Sequence, residues 1–396
     1  MITERKDSGF TLVELMITMV IFVLVIAGAS QVFTGLLTQF KQQGRISETN
    51  IGSAAGLEIM RHDIGQAGYG LPWDLADGTN VATYQEAAND GVTAWDDTGL
   101  NDASNPPAAV RSLNNVPDAY DALNTSDVLA IKAANVATND ECQKWTYVSF
   151  TGTVPNFLKV WNSAGDDPAG TDQVIVLDPA ANGADRNILK NTGGGNFYAT
   201  LDNSFSFSPG ATALSSFDPD GGSGDSLQYV IYDIAPAGAT PIRMPFNRAD
   251  YYIRRPGPAS MPVRCAPDTG ILYKAVVNQS DGLHTEYPIL DCVADMEVVY
   301  GQAGPAYTDD THTWSATDLR NKLKEVRVYI LAQEGQKDPN FKYTVSQDDK
   351  DMCGNSPTKI YVGEKSVGSG KCFDISTNVN YRWKKYILVV TPDNLE

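Results

Sequence analysis

The chain opens with nine mostly polar residues and then turns apolar. Between positions 10 and 40 a single charged residue, Glu14, interrupts the pattern, and positions 15–37 are dense in Leu, Ile, Val, Met and Phe. Such a run is long enough to cross a bilayer once as a helix that satisfies its own backbone. No proline occurs before Pro72, so helical spacing continues through Phe40, Ile51, Ala55, Ile59 and Ile64. The pattern predicts one helix from about Thr11 to Gln66. Gly28, Gly35, Gly44, Gly52 and Gly56 lie inside it. Each weakens a helix interior by roughly 1 kcal/mol relative to Ala, in exchange for bending or close packing. On local grounds alone Arg61 and Asp63 are no more than solvated helix charges, and Tyr69-Gly70 no more than the turn after the helix.

Beyond the helix the period changes. Positions 71–125 are rich in Asp, Asn, Ala, Gly and Pro, with nine acids against one base, Arg111, up to position 125. This composition predicts long acidic surface loops. Strand-like runs follow at 127–133, 145–150, 173–177, 227–234, 251–254, 271–277, 292–300, 323–332 and 381–390. Several alternate, as in Val326-Arg327-Val328-Tyr329-Ile330, which fits a sheet with one wetted face. Gly- and Pro-rich stretches at 191–195, 219–224 and 256–262 punctuate them. One helix followed by many strands predicts an α+β fold with a mostly antiparallel sheet.

Charge and cysteines narrow the function classes. Among 396 residues, 48 Asp and Glu oppose 30 Lys and Arg, for a net charge of −18. That argues against nucleic acid as a partner and suits a protein outside the cytoplasm. Cys142, Cys265, Cys292, Cys353 and Cys372 form no C-x-x-C pair, so zinc and thioredoxin-like chemistry lack support. An oxidising compartment allows two disulfides. Near-neighbour pairing suggests Cys265–Cys292 and Cys353–Cys372 with Cys142 left over, and other connectivities stay open. His62, His284 and His312 read as surface histidines. No metalloprotease, nucleophile-elbow or phosphate-loop motif is present, so no enzyme is expected. One loop, Asp218-Pro219-Asp220-Gly221-Gly222-Ser223-Gly224-Asp225, has closely spaced carboxylates on a Gly-rich turn. Its spacing departs from an EF-hand, so Asp218, Asp220 and Asp225 are set between an exposed turn and a calcium site. No other cofactor is expected.

Glu14 needs its own explanation. A secretory signal has a shorter apolar core and a small-residue cleavage site. An ordinary signal anchor gives no reason for a carboxylate at membrane depth, which costs roughly 2.5–3.5 kcal/mol on insertion scales. The segment Gly9-Phe10-Thr11-Leu12-Val13-Glu14-Leu15 resembles the motif of type IV prepilins and type II secretion pseudopilins. The resemblance implies cleavage between Gly9 and Phe10 by a prepilin peptidase, N-methylation of Phe10, and pairing of Glu14 with a neighbouring subunit's terminal amine. An ammonium and a carboxylate are each costly to desolvate alone and tolerable together.

Further segments resemble PilW-type minor pilins: 57–70 with its Ala67-Gly68-Tyr69, Ser126-Asp127-Val128-Leu129, 290–301 ending in Tyr300-Gly301, and 326–331. The Arg-rich closing strand common in that family is replaced by Tyr381-Arg382-Trp383-Lys384-Lys385. The implied organisation is a leader at 1–9, a transmembrane helix at 10–40, its extension at 41–70, an acidic loop-rich insertion at 71–125 and a β-rich head at 126–396. The implied function is a minor pilin that primes a type IV pilus and sits at or near its tip. The alternatives are a type II secretion pseudopilin and an adhesive tip module with a calcium-dependent acidic loop. The implied partners are the peptidase, the major pilin and other minor pilins, the inner-membrane platform and a PilY-type tip adhesin. The implied location is the inner membrane with a periplasmic head, then the pilus surface.

Overall fold

The computed structural model describes residues 9–88, 99–102, 105–117, 123–151, 154–157, 161, 165–168, 172–179, 187–191, 193–200, 228–236, 238, 241–257, 260–304, 306–309, 311 and 314–395. The expected helix is α1 (Leu12–Gly65), a single element of 54 residues. Thr11 starts it as N-cap. Gly68 and Gly70, at φ +87° and +62°, turn the chain away after it. A side chain at Gly70 would also collide with Ala134, 2.8 Å away, so the turn is packed as well as bent.

The strands then appear in chain order. A short ribbon, β1 (Ala76–Asp77) and β2 (Asn80–Val81), precedes β3 (Val110–Leu113) and β4 (Val128–Ala133). Next come β5 (Trp145–Thr151), β6 (Val154–Phe157), β7 (Gln173–Asp178), β8 (Ile188–Leu189), β9 (Ala199–Thr200) and β10 (Gln228–Ala235). The long strands follow: β11 (Asn247–Arg254), β12 (Gly270–Val277), β13 (His284–Gln302), and the two-residue β14 (Tyr307–Thr308). Helix α2 (Ala316–Lys322) leads into β15 (Leu323–Glu334). Helix α3 (Gln347–Met352), the hairpin β16 (Lys359–Glu364) and β17 (Ser369–Asp374), and β18 (Arg382–Val390) complete the chain.

The main sheet runs β18-β15-β13-β12-β11-β4-β3, with β14 beside β13, and every ladder in it is antiparallel. A second antiparallel sheet runs β6-β5-β10-β7-β8, with β9 beside β7. The α+β expectation therefore holds. One face of the main sheet lies under α1, where Leu57, Met60 and Ile64 meet Leu272, Met296, Val328, Ile330 and Leu388 in one core. The β16–β17 hairpin covers the other face through Val299, Tyr329, Leu331, Ile360, Val362 and Phe373. Being covered twice explains why Val293 to Gly301 of β13 is buried without alternation.

The first half of β13 was not expected. It carries Pro288 and exposed residues, which read against a strand. It pairs only with β12, and β15 joins β13 from Val293 onward. Pro288 thus sits where β13 has a ladder on one side, beside a register shift in that ladder, a place where a strand tolerates proline.

The surface-loop expectation for 71–125 fails over part of its described residues. Leu75, Ala82, Tyr84, Ala87, Ala108, Ala109 and Val110 are buried in the core beneath α1. Glu86 and Asp102 are buried too, and both pair with Lys132 on β4, at 2.8 and 2.5 Å. Arg248 on β11 joins Glu86 at 3.0 Å and Asp250 at 2.7 Å, and Arg111 joins Asp102 at 2.8 Å. Burial raises the Asp102 carboxyl, but the Lys132 and Arg111 charges outweigh it and hold the pKa low. The acids face inward because buried cations on β4 and β11 require them: breaking such a pair costs about 3–5 kcal/mol.

His284 likewise leaves the surface: its ring is 2 % exposed and lies 3.0 Å from Asp250. His312, residues 1–8, and Asp218, Asp220 and Asp225 lie outside the described residues. Cys265 is bonded to Cys292 and Cys353 to Cys372, while Cys142 is free and buried against Asn139 and Asn247.

Candidate functional site

The functional element is α1, and its two halves have opposite surroundings. Every large apolar side chain from Phe10 to Phe40 is at least 44 % exposed. Keeping that many in water costs on the order of tens of kcal/mol relative to burial, so this half is built for lipid or for other helices. The helix is long and apolar enough to cross a membrane.

At its start, Gly9 and Phe10 stand free, with Phe10 86 % exposed. Thr11 and Glu14 close a reciprocal capping box. The Glu14 N–H donates to Thr11 Oγ1 at 3.3 Å, and the Thr11 N–H and hydroxyl each donate to Glu14 Oε2 at 3.0 Å. The role of Thr11 was missed, although Thr-x-x-Glu before an apolar run is the sequence signature of such a box. Glu14 thus sits four residues from Phe10 with its carboxylate turned toward the helix start. It satisfies a backbone donor there and leaves its charge without a cation among the described residues.

The inner half is seated in the head. Gly56 passes so close to β13 that a Cβ there would lie 2.0 Å from the Ile289 carbonyl oxygen. Seven residues on, Asp63 is 3 % exposed. Its Oδ2 accepts from Lys274 Nζ at 2.5 Å and from the Tyr251 hydroxyl at 2.6 Å. Arg61 stays exposed as expected, and Asp63 does not. Further stitches come from Lys384 to Asn50 at 3.0 Å and from the Asp393 N–H to the Gly65 carbonyl at 3.0 Å. The Ala67-Gly68-Tyr69 turn docks as well: the Gly68 N–H donates to Lys132 O, and Tyr69 packs edge-on against Tyr232 at 5.3 Å.

A third cluster ties the β16–β17 hairpin to the main sheet. Lys371 on β17 reaches Asp295 at 3.0 Å and Glu297 at 3.1 Å on β13, with Asp127 close by at the head of β4. Burial pushes the carboxyls up, Asp127 to about 7, Asp295 to about 6 and Glu297 to about 9, with repulsion from Asp127 and Asp295 adding to the last. Among the described residues no group of three or more His, Cys, Asp or Glu is placed to hold a metal ion. The arrangement offers anchoring and packing, and no assembled catalytic constellation is present among the described residues.

Residues 5–30 match the prokaryotic N-terminal methylation motif. No curated protein matches the chain. Among solved structures, a type IV-like pilin from Thermus thermophilus is similar over 38 % of this chain and 80 % of that one, at 16 % identity and a TM-score of 0.20. A score that low carries no argument about the head. The N-terminal segment, with its methylation motif and its long apolar helix leading into an antiparallel β-rich head, is prepilin-like.

Proposed function

We propose that this chain is a minor pilin of the PilW-like kind, which primes a type IV pilus and is incorporated at or near its tip. The observation that carries this reading is the split character of α1: an apolar half exposed along its whole length, continuous with a half locked into a large head. Such a helix is held by lipid before assembly and by neighbouring helices after it. The methylation motif supports cleavage after Gly9 and methylation of Phe10 by a prepilin peptidase. Glu14 would then exchange its capping role for a neighbour's terminal ammonium, since a desolvated carboxylate gains most from a cation. The head reaches the periplasm first and the cell surface later, an oxidising setting in which two disulfides suit the fold.

Tip placement rests on bulk: a head with two sheets and a hairpin layer would crowd a repeating shaft. Immunogold labelling of sheared filaments tests it. Gold at filament ends is expected, and label along the whole shaft would sink the tip assignment. The inward-facing Glu86 and Asp102 weigh against an acidic-loop adhesin, because their charges are spent on Lys132, Arg111 and Arg248.

A further inference from the structure

Where α1 leaves its apolar half and meets the head there is a cleft of about 700 Å³. It is lined by Arg45, Pro262, Val263, Arg264, Gln336, Lys337 and Tyr381. Three of these are cations, on a chain of net charge −18. Two have acidic neighbours: Arg45 pairs with Glu48 at 2.9 Å, and Arg264 with Asp291 at 2.7 Å. Lys337 makes no ion pair or hydrogen bond among the described residues, and Arg264 Nε is buried without a hydrogen-bond partner. Val263, at the rim, is fully exposed at 104 %.

We propose that this cleft holds the phosphate headgroup of an anionic phospholipid and seats the head on the membrane before assembly. The inference rests on the reading that the outer half of α1 spans that membrane. Position supports it. Arg45 lies five residues past Phe40, about 7 Å along the axis, and the headgroup layer on each side is roughly 5–7 Å thick. Helical side chains lean toward the helix N-terminus, so Arg45 leans back toward the lipid. Lys41, also exposed, stands one turn closer. Charge supports it as well: the cleft has three cations and two nearby acids, and the surplus on Lys337 meets an anion best. The exposed Val263 beside those cations is the pairing an interfacial surface needs, an apolar side chain for the acyl boundary and bases for the phosphates.

The test uses the full chain, inserted into bilayers of phosphatidylcholine with or without phosphatidylglycerol, followed by native mass spectrometry of the lipids it retains. Wild type is expected to keep phosphatidylglycerol about tenfold over phosphatidylcholine. The double variant Arg45→Glu with Lys337→Glu should insert equally well and lose that preference. Arg45→Gln with Lys337→Gln gives the same comparison without charge reversal, should the first variant misfold. No preference in wild type, or an unchanged preference in both variants, overturns the inference while leaving the membrane reading intact. Displacement of the lipid by an equal concentration of inorganic phosphate would assign the cleft to free phosphate and overturn the lipid assignment. Failure of wild type to insert into either bilayer would overturn the membrane reading and this inference with it.

Discussion

Outside position 46 helix α1 buries no large side chain, whereas inside it Leu57, Met60, Ile64 and the charged Asp63 are all withdrawn from water. The more apolar half is the exposed one, and the half with more polar residues is in the core. Ordinary core reasoning runs the other way. The inversion shows that hydrophobicity reports what a segment is destined to meet, and only sometimes what its own chain provides. The outer half offers a uniform apolar surface with one acid at its tip. The inner half offers a shaped seat, in which a missing Cβ and a paired carboxylate decide the fit.

The sharpest way to break this comparison is at Glu14. Glu14→Ala should abolish recruitment into filaments and leave cleavage after Gly9 and head stability unchanged. Glu14→Gln separates the two roles of the residue, since the amide oxygen still accepts from the Thr11 N–H but carries no charge. Loss of incorporation in Gln as well as Ala assigns the role to charge. Normal filament incorporation of Glu14→Ala, read by immunoblot of sheared pili, would remove the assembly role altogether. On the inner half the effect moves from assembly to stability. Asp63→Ala strands Lys274 in the core and should cost about 3–5 kcal/mol, seen as a lower urea midpoint. A cost under about 1 kcal/mol would mean that water reaches Lys274. Gly56→Ala should cost about 2–3 kcal/mol, because the helix must shift away from Ile289. The same change at Gly44 or Gly52, which face open space, should stabilise the helix slightly.

The smallest effect concerns pH and belongs to the head alone. Asp127, Asp295 and Glu297 have folded-state pKa values above their unfolded ones, so the native state holds the extra protons. Their contribution is fully present below about pH 4 and is lost as pH rises through 6 toward 9. Glu297→Gln should therefore raise stability at pH 8.5 by about 1 kcal/mol, roughly 2–4 °C, and change little at pH 5. Equal shifts in melting temperature at both pH values would show that Glu297 titrates normally.

Much of this architecture was legible in the chain. The run 128–133 and the alternation at 326–330 declared strands because their side chains meet a covered face and its neighbours in period two. The hairpin β16–β17 was not found: its strands hold Gly363 and Gly370 at positive φ, packed backbone to backbone, which in sequence reads as turn. Charge alone points Asp63 toward solvent. Its spacing told otherwise, since Gly56, Met60 and Asp63 stand at i, i+4 and i+7 on one helical stripe. Lys132 in the apolar run Val128-Leu129-Ala130-Ile131-Lys132-Ala133 likewise announced that acids elsewhere must be inside. Composition counts charges but does not pair them, and the pairing is made by tertiary contacts between distant positions, as between Arg248 and Glu86, 162 positions apart.

The seat of α1 also bears on load. A filament that is drawn back pulls each subunit along its helix, and a pull on the outer half travels down a rigid rod to the anchors around Gly56, Asp63 and Gly65. These lie on four different strands or segments, with Ile289 on β13, Lys274 on β12, Tyr251 on β11 and Asp393 past the end of β18. The anchors therefore strain together and cannot be peeled one after another. If the chain is assembled as proposed, a head seated this way would hold under load and then come off its stem abruptly at a single high force.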